Sequence, residues 1–197
     1  MGLAVRQSNM RILFSSLLAA SALCQGFAGP IDFTPITGQR ELEGMVFPQL
    51  LFHQDGRVIS YEPPRGWMSY GNSSELILTP QDARRARATV DQVSLPSAQI
   101  FDEATIKNLR QIVLGSLPSD AEKVQLLSEE ANPVRINGQD SYEIRASYSY
   151  FGQDQQISVI FVNLGDLQVR FRFTANKKDF DALYRAFRGS LFSLHWS

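Results

Sequence analysis

Cysteine is almost missing from this chain: there is one, Cys24, in 197 residues. It lies inside an N-terminal apolar stretch. Cleavage of that stretch would leave no disulfide, no thiol nucleophile and no cysteine metal ligand. Histidine is scarce too, with His53 and His195 at opposite ends of the domain sequence. His195 stands in the final Leu194-His195-Trp196-Ser197 tail, a poor place for rigid positioning. A histidine-based catalytic or zinc site is therefore not expected. The acids show no Asp-x-Asp-x-Asp-Gly spacing, and Asp154 and Asp166 lie close to Gly152 and Gly165, as in ordinary hairpin turns. Gly-x-Gly-x-x-Gly and phosphate-loop patterns are absent, and Asn72-Ser73-Ser74 lacks the Gly-x-Ser-x-Gly elbow that exposes a nucleophile. Neither a cofactor nor an enzymatic activity is expected.

Long apolar runs are lacking as well. The one at the N-terminus, Ile12–Cys24, has about 13 residues where a bilayer span needs about 20. Its context is that of a secretory leader: Arg6 and Arg11 before it, no acid, then the small-x-small step Gly26-Phe27-Ala28 and Pro30. Residues 1–28 read as a signal peptide cleaved after Ala28, which places the mature chain in the periplasm or outside the cell. A lipid anchor on Cys24 is the alternative, although Leu23 is large for the position before an acceptor cysteine. Losing Arg6 and Arg11 with the leader takes the basic residues from 19 to 17 against 20 acids, a net charge of −3. No concentrated positive field is left to bind nucleic acid. The mature chain is not expected to span a membrane.

What is present is a patterned domain. Residues 29–45, with Pro30, Pro35, Gly38 and Gly44, read as a mobile lead-in, and 46–197 as one domain. Asp55-Gly56 signals a hairpin before a strand at Arg57–Tyr61. Further strands are expected at Leu76–Leu78 and Ala86–Val93. Asp102 caps a helix whose Ile106, Leu109, Ile112 and Val113 recur at helical spacing. Strict alternation then marks Tyr142–Tyr150 and Leu167–Thr174, with the doubly apolar Ile157–Val162 between them. Together they make a β-meander. The last helix starts near Asn176 and carries Phe180, Leu183, Tyr184, Phe187 and Leu191 along one face. This order builds an α+β domain, an antiparallel β-sheet covered by helices.

Three segments carry a resemblance to a known family. They are Tyr61-Glu62-Pro63-Pro64-Arg65-Gly66-Trp67, then Ile136-Asn137-Gly138 with the tyrosine-rich strand to Tyr150, and Phe171-Arg172-Phe173-Thr174-Ala175 leading into Phe180. The pattern resembles the PsbP-like family, whose fold is shared with a nuclear Ran-binding factor, over roughly residues 46–194. The resemblance implies an α/β/α sandwich and an accessory or scaffold role, with bacterial relatives that are periplasmic or lipid-anchored. It implies no metal or partner residues, because none of the family's is matched position by position.

Parity singles out one candidate surface. Arg85, Arg87, Thr89 and Asp91 share one side of a strand, Glu143 and Arg145 the polar side of another, and Arg170 and Arg172 that of a third. Suitable pairing would gather Arg85, Arg87, Arg145, Arg170 and Arg172 on one face. Such a face is either solvated and internally paired, or a docking surface for an acidic partner, since arginine grips carboxylates in a planar fork. The expected function is that of an exported, non-enzymatic module that binds an envelope protein. A small-ligand or ion carrier and a hydrolase are the alternatives.

Overall fold

Turn chemistry divides the chain as its sequence suggests. A computed structural model describes residues 29–83 and 85–197. Its elements are β1 (Asp32–Leu42), β2 (Met45–Gln54), β3 (Arg57–Tyr61), β4 (Trp67–Gly71), β5 (Glu75–Pro80), β6 (Arg87–Ser94), α1 (Glu103–Gly115), β7 (Glu122–Ala131), β8 (Ser141–Tyr150), β9 (Gln153–Leu164), β10 (Leu167–Asn176), α2 (Lys177–Ser190) and β11 (His195–Trp196). Asp55 and Gly56 both take positive φ between β2 and β3, and Asn137 and Gly138 do the same between β7 and β8, the geometry that a tight hairpin turn requires. The leader and its cleavage after Ala28 lie outside the described residues.

Two antiparallel sheets result. One has four strands in the order β1-β2-β3-β11, the other seven in the order β4-β5-β6-β10-β9-β8-β7. The expected meander is the β8-β9-β10 run, and β6 closes on the free edge of β10. Residues 157–163 of β9 are buried throughout, as a central strand's must be. Helix α1 opens on Asp102, whose carboxylate accepts from the Thr105 backbone N–H at 2.8 Å. It lays Leu109 and Val113 on Ile144, Ala146, Ile157, Val159 and Phe161. On the opposite side of the large sheet lie α2 and the small sheet. Phe180, Tyr184 and Phe187 of α2 pack on Phe173, and Trp67 stacks on Phe187 with ring centroids 6.3 Å apart. Helices thus cover both faces of one antiparallel sheet, the α+β class expected.

One stretch departs from expectation. Residues 29–45, read as a mobile lead-in, form β1 and the turn into β2. Ile31 and Phe33 are buried in the main core, and Phe33 meets Phe52 edge-on at 6.0 Å. Proline and glycine do not exclude this strand, because it is an edge. Only β2 pairs with it, and Pro48 of β2 lies where β2 has β1 alone as a neighbour.

Candidate functional site

Directly opposite residues of an antiparallel pair point to the same side, so register decides which arginines meet. Arg170 lies opposite Asp91, Arg172 opposite Thr89 and Thr174 opposite Arg87. Thr89 continues to Ile77 of β5 and then to Tyr70 of β4, and Thr79 continues to Met68. Arg87, Arg170 and Arg172 therefore share one side of the β4-β5-β6-β10 half of the large sheet. This is the side on which α1 covers the other half, since Arg172 stands opposite Val159 of the α1 core. Neither core cluster takes a side chain from this half of the face.

The arrangement is cationic on one flank and apolar on the other. Arg170 donates to Asp91 through Nε in a half-buried ion pair. Arg172 has its Nε buried without an acceptor. Arg87 is exposed, and along β4 Met68 and Tyr70 are 55% and 66% exposed. Ile77 and Thr79 lie half-buried between them. An aromatic ring, a thioether and unneutralised guanidinium groups on a flat sheet can hold a partner segment carrying both apolar and acidic side chains.

The other two arginines lie elsewhere. Arg145 is opposite Ser158, and with Glu143 it faces α2 rather than the open half-sheet. The cause is register: Arg172 shares its side with Val159 and hence with Ile144, not with Arg145. Under α2, Glu143 is 1% exposed. Its Oε1 accepts from Arg145 Nε, from Ser158 Oγ at 2.8 Å and from Tyr184 Oη at 2.8 Å. The Arg145 guanidinium also lies 4.4 Å over the Tyr184 ring. Burial and the charge of Glu143 push the Tyr184 hydroxyl well above the ordinary tyrosine range, which keeps it a neutral donor. Burial disfavours the charge on Arg145, but the hydrogen bond and charge of Glu143, joined by Tyr184, together outweigh it and raise its pKa. Arg85 precedes β6 and is exposed beside Asn176 and Lys177 at the start of α2.

Sequence reasoning missed Met68, Tyr70 and Ile77. Their alternation with Ser69, Leu76 and Leu78 was legible, but not that their side would stay uncovered. His53 and His195 lie on different strands of the small sheet. Among the described residues no group of three or more His, Cys, Asp or Glu is placed to hold a metal, and no helix is long and apolar enough to cross a membrane. Between the two sheets lies a void of about 20 Å³ lined by apolar side chains, among them Phe33, Phe52, Phe171 and Trp196. It has room for about one water and nothing to bond it, so it is a packing gap and not a ligand site.

The sequence matches no protein-family model and no curated protein. Solved structures similar to it include a PsbP, the family its motifs resemble. This is CyanoP of Synechocystis sp. PCC 6803, at 16% identity and a TM-score of 0.49, covering 87% of this chain and 98% of that one. LpqN of Mycobacterium tuberculosis, described as involved in cell envelope biogenesis, is similar at 15% identity and a TM-score of 0.49, covering 85% and 91%. A Pseudomonas aeruginosa protein of unknown function follows at 12% and 0.45, covering 79% and 93%. Likeness at this level concerns the course of the backbone, and no activity passes from those proteins to this one.

Proposed function

We propose that this protein is an exported, non-enzymatic binding module that docks an envelope protein on the open half of its seven-stranded sheet. The observation that carries the reading is the exposure of Met68 and Tyr70 on the same side of the sheet as Arg87 and Arg172, on a half-face that contributes nothing to either core cluster. A sheet face is normally covered on its apolar side, and exposed apolar groups rimmed by charge mark interaction sites. Export rests on the leader pattern of residues 1–28. Recognition here joins apolar contact to arginine pairing, so the partner segment carries acidic residues beside an apolar anchor.

The test uses the chain expressed in its own cells and recovered from the envelope with its bound protein. Tyr70→Ala with Arg87→Glu alters two exposed side chains and should leave the melting temperature within a degree or two, as surface changes do. The reading expects loss of the bound protein, with charge reversal at Arg87 more damaging than Arg87→Ala. Full recovery by the folded double variant would refute it. N-terminal sequencing of the same material should begin at Gly29 or nearby, and a chain retaining Met1 in the cytosol would contradict export.

A further inference from the structure

A second candidate surface lies where the two sheets meet, at the start of β10, whereas Arg87 stands opposite Thr174 near its end. Two adjoining clefts of about 490 and 430 Å³ lie there, with Gln99, Gln139 and Asn163 lining both. The loop from β6 to α1 supplies Gln99, the turn between β7 and β8 supplies Gln139, and the end of β9 supplies Asn163. Trp196 lines one arm of this trough, and Phe101 and Tyr142, which stack with centroids 5.8 Å apart, line the other.

We propose that this trough is a binding site for a neutral oligosaccharide. Carboxamides dominate its polar lining. Each offers a donor and an acceptor on a short planar group, the complement of adjacent sugar hydroxyls. Indole and phenyl faces meet the C–H face of a pyranose, which is apolar, while the ring's hydroxyls lie around its edge. Asn137 and Gln139 are exposed, and Gln99 spends only its backbone carbonyl on the fold, so these side-chain amides are free for a ligand.

The floor is already in place. Asn163 donates to the Gln99 carbonyl at 2.9 Å and accepts from Gln168 Nε2 at 3.0 Å. The indole of Trp196 donates to Gln54 Oε1 at 2.8 Å, and Gln54 Nε2 donates to the Gly29 carbonyl at 2.8 Å. Trp196 borders the internal apolar void as well as the cleft, and its bond to Gln54 and its packing against the main core hold the ring. A site held this way loses little freedom on binding. Its charge is balanced, with Arg57 in one arm and Asp140 in the other. Phosphorylated or acidic ligands would find no cluster of cations to hold them.

The test follows backbone, side-chain amide and indole N–H signals by nuclear magnetic resonance. The purified chain is titrated with cellohexaose, maltohexaose and N-acetylated chitohexaose, each to about 10 mM, which covers dissociation constants into the millimolar range. At least one sugar should give saturable shifts centred on the Gln99 and Gln139 amides and the Trp196 indole. Gln99→Ala with Gln139→Ala should weaken that binding about tenfold or more at an unchanged melting temperature. Arg87→Glu, on the other surface, should leave it untouched. Raising salt from about 0.05 to about 0.5 M should not matter, since no charge pairing is screened. No saturable shift with any of the three sugars would overturn the proposal. So would shifts centred on Tyr70 and Arg87, wild-type binding by the glutamine variant, or binding that collapses with salt.

Discussion

Glu143 shows how a charged residue can serve the fold alone. Its Oε1 gathers Arg145, Ser158 and Tyr184, while Oε2 is buried without a partner. The bond from Tyr184 ties α2 to the sheet in a place where water cannot substitute. Tyr184→Phe should therefore cost about 1.5–3 kcal/mol, the range for hydrogen bonds to charged groups, measured by denaturant unfolding. A loss under about 0.5 kcal/mol would show that the contact is incidental. On the other side of the sheet, Glu129 accepts from Arg110 Nε and Nη2 and from Tyr142 Oη. The Arg110 bonds, opposed by burial and aided by Tyr142, hold its carboxyl below the ordinary 4.5. A lowered folded pKa gives stability that is present above the unfolded value and is lost as pH falls through the folded one. The melting-temperature gap between wild type and Glu129→Gln should then be full above pH 4.5 and shrink on acidification below it. A gap that widens with acid would contradict this ion pair. Strand parity made Glu143, Arg145, Arg170 and Arg172 legible as polar positions. It could not say that the first two face α2 and the last two face away from it. That choice lies in the register of β8 on β9 and β9 on β10, which no single strand encodes.

At the scale of elements, local chemistry was a good guide wherever the element largely makes itself. Helix α2 follows from its apolar spacing, and the β2–β3 hairpin from Asp55-Gly56. The cap of α2 is weaker than its sequence suggests, because the Asn176 side chain accepts from Gln155 and leaves the helix end without a side-chain bond. Strand β1 was hidden for a different reason. Its pairing partner and its core, Phe33 on Phe52, lie outside its own sequence window, while Pro35 and Gly38 read locally as breakers. Its close approach to the large sheet rests on Gly71 of β4. A Cβ at Gly71 would come within 2.2 Å of the Phe33 carbonyl oxygen and 3.0 Å of Pro35 Cδ. Gly71→Ala should force β1 away and cost about 1–3 kcal/mol, as overpacking does, whereas Gly115→Ala, with open space around it, should not destabilise. Equal melting temperatures for wild type and Gly71→Ala would mean that β1 does not seat there. Truncating the core of α2 should be costlier still: Phe187→Ala, at 0% exposure, is expected to lose about 3–5 kcal/mol.

For the whole molecule, the central question is which surface is left over once folding has used the rest. The small sheet and α2 cover one side of the large sheet, and α1 covers half of the other. The remaining half carries Arg87, Arg172, Tyr70 and Met68. The composition could indicate that no strongly basic field exists and that no standard catalytic motif is spelled out. It could not indicate where the helices stop short. The most direct measurement places a photo-crosslinking amino acid at Tyr70 on the open half-face, and in a second variant at Val58 on the small sheet, in cells that make the protein at its natural level. The docking account predicts one discrete crosslinked protein from Tyr70, lost when Arg87→Glu is added, and none of that species from Val58. Equal crosslinking from both positions, or a Tyr70 adduct indifferent to Arg87→Glu, would contradict it.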